Sequence, residues 1–373
     1  MKKLFILAVI LVVNTSIKAQ SHNDSITIEL TKLIKNSSLV GFGVAIVNKD
    51  SMVYAKGFGY ADKKTKTPYT THTEQTIASI SKTFLGVALM KAQEMGKLKL
   101  SDRINDHLPF SIYNPNFPDE EITILQLANH TSSILDGDSY ERTYVFENKI
   151  PSFYNEVNDT LKGDIKKSVD LYNSNIMMPL GEFIKKQYVT YQIWYNKDQN
   201  FSNNLPESSY KYSNMGANIA AYIIEQATGE NYAEFINKNI IEPLQMKSSG
   251  WRGKNYVPKN ASTLYWYGFP VPYSDLVTYP DGNLMTNIVD YSKFLSAVIR
   301  GYQGEDNLIT AKSYKEMMKD PISPDFRKGV FWSVDSEKIG HSGSDLGVLT
   351  HAYFLRDSGH GIIVFVNTSD TED

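Results

Sequence analysis

Two runs near the start of the chain decide the fold: GVAIVN at Gly43–Asn48 and MVYAKGF at Met52–Phe58, separated only by Lys49-Asp50-Ser51. Both are rich in β-branched and aromatic residues, both alternate, and the polar triplet between them suits a turn, so the pair reads as a β-hairpin. Similar runs return at the far end of the chain, at Gly329–Val334, Val348–Leu355 and Gly361–Val366. Between the two ends the pattern is helical. The segment Ile80–Met95 carries apolar residues at Leu85, Leu89 and Met95 and stops at Gly96. Further helices are expected at Leu180–Val189, Met215–Thr228, Tyr232–Ile241, Asn287–Arg300 and Ala311–Lys319, and a polar one precedes the hairpin at Ser25–Lys35. Tyr60–Glu74 and Asp102–Pro118 read as loops. Strands at both ends with helices between them predict an α/β chain of the α+β type. Its mainly antiparallel sheet is formed by N- and C-terminal strands flanked by helices, with an inserted, mostly helical domain. The sheet part is expected at about 20–75 and 287–373, and the helical part at about 76–286.

Composition narrows the function classes. The 373 residues are 42% apolar, enough for a sizeable core, and carry 38 Lys+Arg against 41 Asp+Glu. A formal charge of −3 gives no electrostatic footprint for nucleic acid. There is no cysteine, which excludes disulfides, thiolate metal sites and a cysteine nucleophile. The seven histidines are scattered and no His-Glu-x-x-His occurs, so neither a metal nor a cofactor is expected. Lys2 and Lys3 precede an apolar run, Leu4–Val13, and Ile17-Lys18-Ala19 closes the segment. This reads as a secretory signal over 1–19, cleaved after Ala19, leaving an exported (periplasmic or secreted) domain at 20–373 with no membrane span.

Three short motifs can do chemistry. Ser79-Ile80-Ser81-Lys82 lies at the start of the Ile80–Met95 helix, where positions three apart share a face, so Ser79 and Lys82 can touch. A desolvated amine can accept the hydroxyl proton, and the N–H of a serine at a helix start can bind an oxyanion. Ser208 and Lys211 share the same spacing, so the motif alone is weak. Tyr212-Ser213-Asn214 precedes the Met215 helix and offers a phenol to shuttle a proton and an amide that both donates and accepts. His341-Ser342-Gly343 precedes the Val348 strand, and a strand carrying glycine can approach a substrate backbone closely. Taken alone, the second motif reads better as an ordinary turn before a helix and the third as a surface turn. Their joint, ordered occurrence is what points to a site. There is no Gly-x-Ser-x-Gly elbow, and Gly41-Phe42-Gly43 opens a strand rather than a dinucleotide-binding helix.

With this trio the chain resembles the serine β-lactamase and penicillin-binding-protein superfamily, in its class C β-lactamase, DD-peptidase and esterase branch. Gly57–Asp62, Gly96–Asp102, His130-Thr131-Ser132 and Pro243-Leu244-Gln245-Met246 resemble further segments of that family. The resemblance implies a β-lactamase/transpeptidase-like fold and assigns roles. Ser79 would be the acylated nucleophile, and Lys82 and Tyr212 would share general base and acid work. Asn214 would position Lys82 and the substrate amide, and His341 would stand beside Tyr212 and the acidic end of the substrate. The backbone N–H groups of Ser79 and Ser344 would form the oxyanion hole, with Ser342 and Gly343 along the substrate. The implied activity is that of a serine hydrolase forming an acyl-enzyme on a small-molecule or peptide substrate: a D-alanyl-peptide carboxypeptidase or esterase, at most a weak β-lactamase. A sensor-type penicillin- or peptide-binding module with negligible turnover is the competing reading. His341 departs from the family's usual Lys, which weakens attraction for a β-lactam carboxylate. Ser133, Gln245 and Glu207 stand where the family places Gly. Ser133 and Gln245 must then avoid positive φ or tolerate strain there. No segment before Asp373 matches the family's C-terminal helix. Either the chain continues or one sheet face is covered in another way. The stretch Asp136–Asn204, rich in Tyr, Asn and Asp, reads equally as a lid or as a solvated insertion.

Overall fold

Asn48 makes the first turn: its Oδ1 accepts from the backbone N–H groups of Asp50 and Ser51, both at 2.9 Å. This closes the expected hairpin between β1 (Gly41–Val47) and β2 (Met52–Asp62), with Val44 opposite Lys56 and Ala45 opposite Ala55. The computed structural model describes residues 19–157, 159–319 and 329–370; the leader expected at 1–19 lies outside these apart from Ala19. A short β3 (Thr67–Pro68) pairs with the end of β2, so the segment expected to be all loop from Tyr60 opens with strand. The C-terminal strands are β4 (Ser333–Val334), β5 (Lys338–Asp345), β6 (Val348–Leu355) and β7 (Gly361–Val366). They join the hairpin in one seven-stranded antiparallel sheet of order β4-β5-β6-β7-β1-β2-β3. β7 and β1, far apart in the chain, lie side by side, with Val44 opposite Val364.

Alternation along these strands divides the side chains between two faces. Phe42 and Val44 of β1, with Val364 and Val366 of β7, pack with Tyr54, Phe58 and Leu30 of the first helix, α1 (Ala19–Lys35). Ala45, Val47, Ile363 and Phe365 face the other way, into the main core. There they meet α2 (Lys82–Glu94) and α4 (Ile288–Tyr302), whose Phe84 and Phe294 rings stack at 3.8 Å. Behind α2 lies α3 (Asn214–Thr228), capped by Ser213 Oγ, which accepts from Gly216 N at 2.9 Å, and ended by Gly229 at φ 74. The helix that follows Ser79 therefore sits between the sheet and the helical part, with its N-terminus at their junction.

Some elements differ from the pattern-based expectation. The helix expected from Ile80 opens as a 3₁₀ turn, Ala78–Ser81, and becomes α-helical at Lys82. The strand expected at Gly329–Val334 is confined to Ser333–Val334, because Phe331 adopts φ 57 and its N–H bonds Ala128 O instead of a sheet neighbour. The region 76–286, expected to be mostly helical, also carries short strands: Leu264–Trp266 pairs with Phe269–Val271 and, in parallel, with Thr368–Ser369. Within Asp136–Asn204 a helix at Asp159–Tyr172 buries Ile165, Val169 and Tyr172. Ser133, Glu207 and Gln245 all adopt positive φ, at 64, 68 and 52. Side chains thus sit in the left-handed region at each position where the family resemblance places glycine, a strain of roughly 1 kcal/mol apiece.

Candidate active site

The turn carrying Ser79 is clamped from both sides. Ile77 N donates to Leu284 O at 3.0 Å, and Thr350 Oγ1 of β6 donates to Ile77 O at 2.8 Å. Ser81 Oγ donates to Ala78 O at 2.7 Å and accepts from Leu284 N at 3.3 Å. Ala78, immediately before Ser79, is held at φ 47. A strained residue fixed by this many bonds is what pins the direction of the next side chain.

Lys82 is the hub. It is fully buried, and its Nζ lies 2.8 Å from Asn214 Oδ1, 2.7 Å from Asp281 O and 3.2 Å from Ser79 Oγ. The first two partners can only accept, so two N–H groups are committed to them. The nitrogen's remaining direction faces Ser79 Oγ, with an N–H in the ammonium or a lone pair in the free amine. The second Ser-x-x-Lys has no such setting: Ser208 lies in a turn and Lys211 in irregular chain, both outside any helix, and Ser208 Oγ donates to Leu205 O.

Tyr212 arrives on the loop entering α3, and Asn214 is the first residue of that helix. The Tyr212 ring centroid lies 5.3 Å from Lys82 Nζ, 4.5 Å from the His130 ring and 6.1 Å from the His341 ring. His130 Nδ1 accepts from Ser213 N at 3.2 Å, so this imidazole is oriented by the backbone between the two motif residues. His341 is buried on β5, its Nδ1–H donating to Ser342 O at 2.6 Å. Ser342 and Ser344 are exposed on β5. Gly343 lies between them, pressed against the Ser79 turn: a Cβ there would lie 2.7 Å from Ser79 N and 2.9 Å from Ala78 Cβ. Any side chain would force the strand away from Ser79. The structure thus gathers Ser79, Lys82, Tyr212, Asn214 and His341, with the Ser342–Ser344 strand alongside.

Three carboxylates that sequence reasoning did not assign to the site complete it. Asp136 accepts from Ser213 Oγ at 2.8 Å and Met215 N at 2.9 Å on one oxygen, and from Asn214 Nδ2 at 3.0 Å on the other. Asp281, whose carbonyl receives Lys82, accepts on its carboxylate from Tyr140 Oη at 2.9 Å and Asn218 Nδ2 at 2.5 Å. Burial pushes the Asp281 carboxyl above its ordinary range against the pull of Lys82 and these donors. Asp345, at the end of β5, accepts on Oδ1 from Tyr144 Oη at 2.9 Å and Leu346 N at 2.8 Å. Burial, with the like charges of Asp281 and Glu141, raises it to about 6. Asp136, Tyr140 and Tyr144 all come from the stretch with the least readable pattern, which therefore lines the site. The one available signal was the position of Asp136, six residues after His130 in a family-like segment.

Comparison with known proteins gives the family and the fold. The Beta-lactamase family model matches residues 29–373. Protein flp of Staphylococcus aureus (strain MW2) is 24% identical over 341 residues, covering 90% of this chain. The chain spans only 61% of that relative's length. Among solved structures, an octameric penicillin-binding protein homologue from Pyrococcus abyssi superposes with a TM-score of 0.72 at 22% identity, over 94% of this chain and 73% of the other. A D-amino acid amidase from Ochrobactrum anthropi SV3, complexed with D-phenylalanine, superposes with a TM-score of 0.68 at 20% identity, over 94% and 93%. With a family match over nearly its whole length, on a fold shared with these structures, the chain belongs to the Beta-lactamase family.

Proposed function

We propose that the chain is an exported serine hydrolase that cleaves an amide or ester through an acyl-enzyme on Ser79. One observation carries this reading: a buried Lys82 with two acceptors fixed and its third direction on Ser79 Oγ, at 3.2 Å. As Ser79 Oγ bonds to the substrate carbonyl carbon, its proton passes to Lys82, with Tyr212 as the adjoining relay. The carbonyl oxygen becomes an oxyanion between the N–H groups of Ser79 and Ser344. The proton is then delivered to the leaving nitrogen or oxygen, which departs as amine or alcohol. Water adds to the acyl carbon, gives a proton to the same pair, and expels Ser79 Oγ, which takes it back as the carboxylic acid leaves. His341, facing Tyr212, stands at the leaving-group end. The amidase and penicillin-binding-protein neighbours support an amide substrate, a small molecule or a peptide. The Leu4–Val13 run behind Lys2 and Lys3 supports export, and no helix among the described residues is long and apolar enough to cross a membrane.

A fluorophosphonate probe tests the nucleophile. Wild type gains one phosphonyl adduct by intact mass, and Ser79→Ala gains none. Equal labelling of the two proteins removes Ser79 from the role.

A further inference from the structure

Strand β5 gives the site two ends. His341, Gly343 and Asp345 alternate with Ser342 and Ser344, so all three share the face turned to the nucleophile. Gly343 lies against Ser79, and the other two lie on either side of it, each roughly 7 Å along the strand. His341 is the end beside Tyr212, where a leaving group must stand to receive its proton. The acyl part of a substrate then extends the other way, toward Asp345 and Tyr144.

We infer that Asp345 is a specificity-determining residue that binds a primary ammonium on the acyl part of the substrate, so that the preferred substrates are α-amino acid amides or esters with a free amine rather than N-acylated ones. The inference rests on the reading of Ser79 as nucleophile and names the substrate class for that site. Asp345 is part-buried, and among the described residues its two hydrogen bonds both fall on Oδ1. These bonds fix the carboxylate and leave Oδ2 to meet a ligand. The groups facing it are the neutral donor Tyr144, the further phenols Tyr140 and Tyr172, and the like charges of Glu141 and Asp281. A carboxylate held among like charges gains from a cation that also carries hydrogen-bond donors, and a substrate ammonium is both. An N-acyl group supplies neither charge nor a compact donor.

The test pairs D- and L-alanine p-nitroanilides with their N-acetyl counterparts, in wild type and Asp345→Asn. The asparagine keeps an acceptor for Tyr144 and Leu346 and removes only the charge. In wild type, kcat/KM for at least one free-amine enantiomer should exceed its N-acetyl form by about tenfold or more, and Asp345→Asn should collapse that ratio, mainly through KM. With burial pushing the Asp345 carboxyl up to about 6, KM for the amine should also rise below that pH while KM for the N-acetyl form does not follow. Fluorophosphonate labelling is run on both proteins. No labelling of wild type removes the serine-hydrolase reading itself. Labelling together with an N-acetyl substrate turned over as well as the amine, with no amine turned over, or with a ratio unchanged in Asp345→Asn, overturns the role of Asp345 alone.

Discussion

Both oxygens of Asp136 accept from the segment that carries Tyr212 and Asn214, and the second oxygen decides which way the Asn214 amide points. Asn214 Nδ2 faces a group that can only accept, so its Oδ1 is left toward Lys82 Nζ at 2.8 Å. In Asp136→Asn one oxygen still accepts from Ser213 and Met215, but an NH2 replaces the other and opposes the NH2 of Asn214. The amide then flips and presents N–H groups to Lys82. The expected result is a fall in fluorophosphonate acylation of about 10–100-fold with a melting temperature well above that of Asp136→Ala, which also loses the bonds to Ser213 and Met215. Acylation within about threefold of wild type would separate Asp136 from the orientation of Lys82. The contrast also shows why part of the site was legible. Ser79 and Lys82 lie three residues apart on one helix, so spacing alone reports their contact. Asp136 meets Asn214 from 78 residues away, and Tyr144 meets Asp345 from 201. No local pattern encodes such pairs.

At the scale of elements, β5 comes closer to the Ser79 turn than a side chain allows. In Gly343→Ala the new methyl would meet Ser79 N at 2.7 Å, Ala78 Cβ at 2.9 Å and Thr350 Oγ1 at 2.6 Å. Two of these belong to the clamped turn, so the strand must retreat and take the Ser344 N–H with it. Acylation should fall by about 10²-fold or more, the loss typical of a removed oxyanion donor. Stability should fall by only about 1–3 kcal/mol, as for an overpacked core. Labelling at the wild-type rate would mean that β5 does not hold the oxyanion. Elements whose apolar residues fall at regular spacing, such as α3 and β7, were readable in the sequence. The helix Asp159–Tyr172 was not, although Leu161, Ile165, Val169 and Tyr172 fall on one face. Four apolar residues among Asp, Lys and Gly163 give a weak stripe, and packing rather than propensity completes it. Phe331 and Trp332 looked like strand because they are aromatic and apolar, but both are buried in the core outside any strand.

The whole molecule is closed where its two ends and its insertion meet, and one buried amide holds that junction. Asn367, just past β7, donates through Nδ2 to Tyr60 O at 3.1 Å on β2 and to Thr263 O at 3.1 Å in the inserted part. Its neighbours repeat the pattern: Val40 N donates to Thr368 Oγ1 at 3.0 Å, and Gly347 N to Ser369 Oγ at 2.9 Å. The hairpin β5–β6, which carries the Ser342–Ser344 strand, is thereby tied to the same point through its Gly347 turn. Composition and strand order foretell that the ends come together, but not that a single side chain joins three parts, because that depends on where their backbone carbonyls fall. Asn367→Ala leaves those carbonyls buried without their donor and should cost about 2–4 kcal/mol. Asn367→Asp has the same shape and should cost more, since it sets an oxygen against both carbonyls and adds a buried charge. Urea unfolding of the three proteins distinguishes the cases: the midpoint should fall from wild type to Asn367→Ala and again to Asn367→Asp. An aspartate variant as stable as wild type would show that the direction of the amide does not matter and that the junction is held by packing alone.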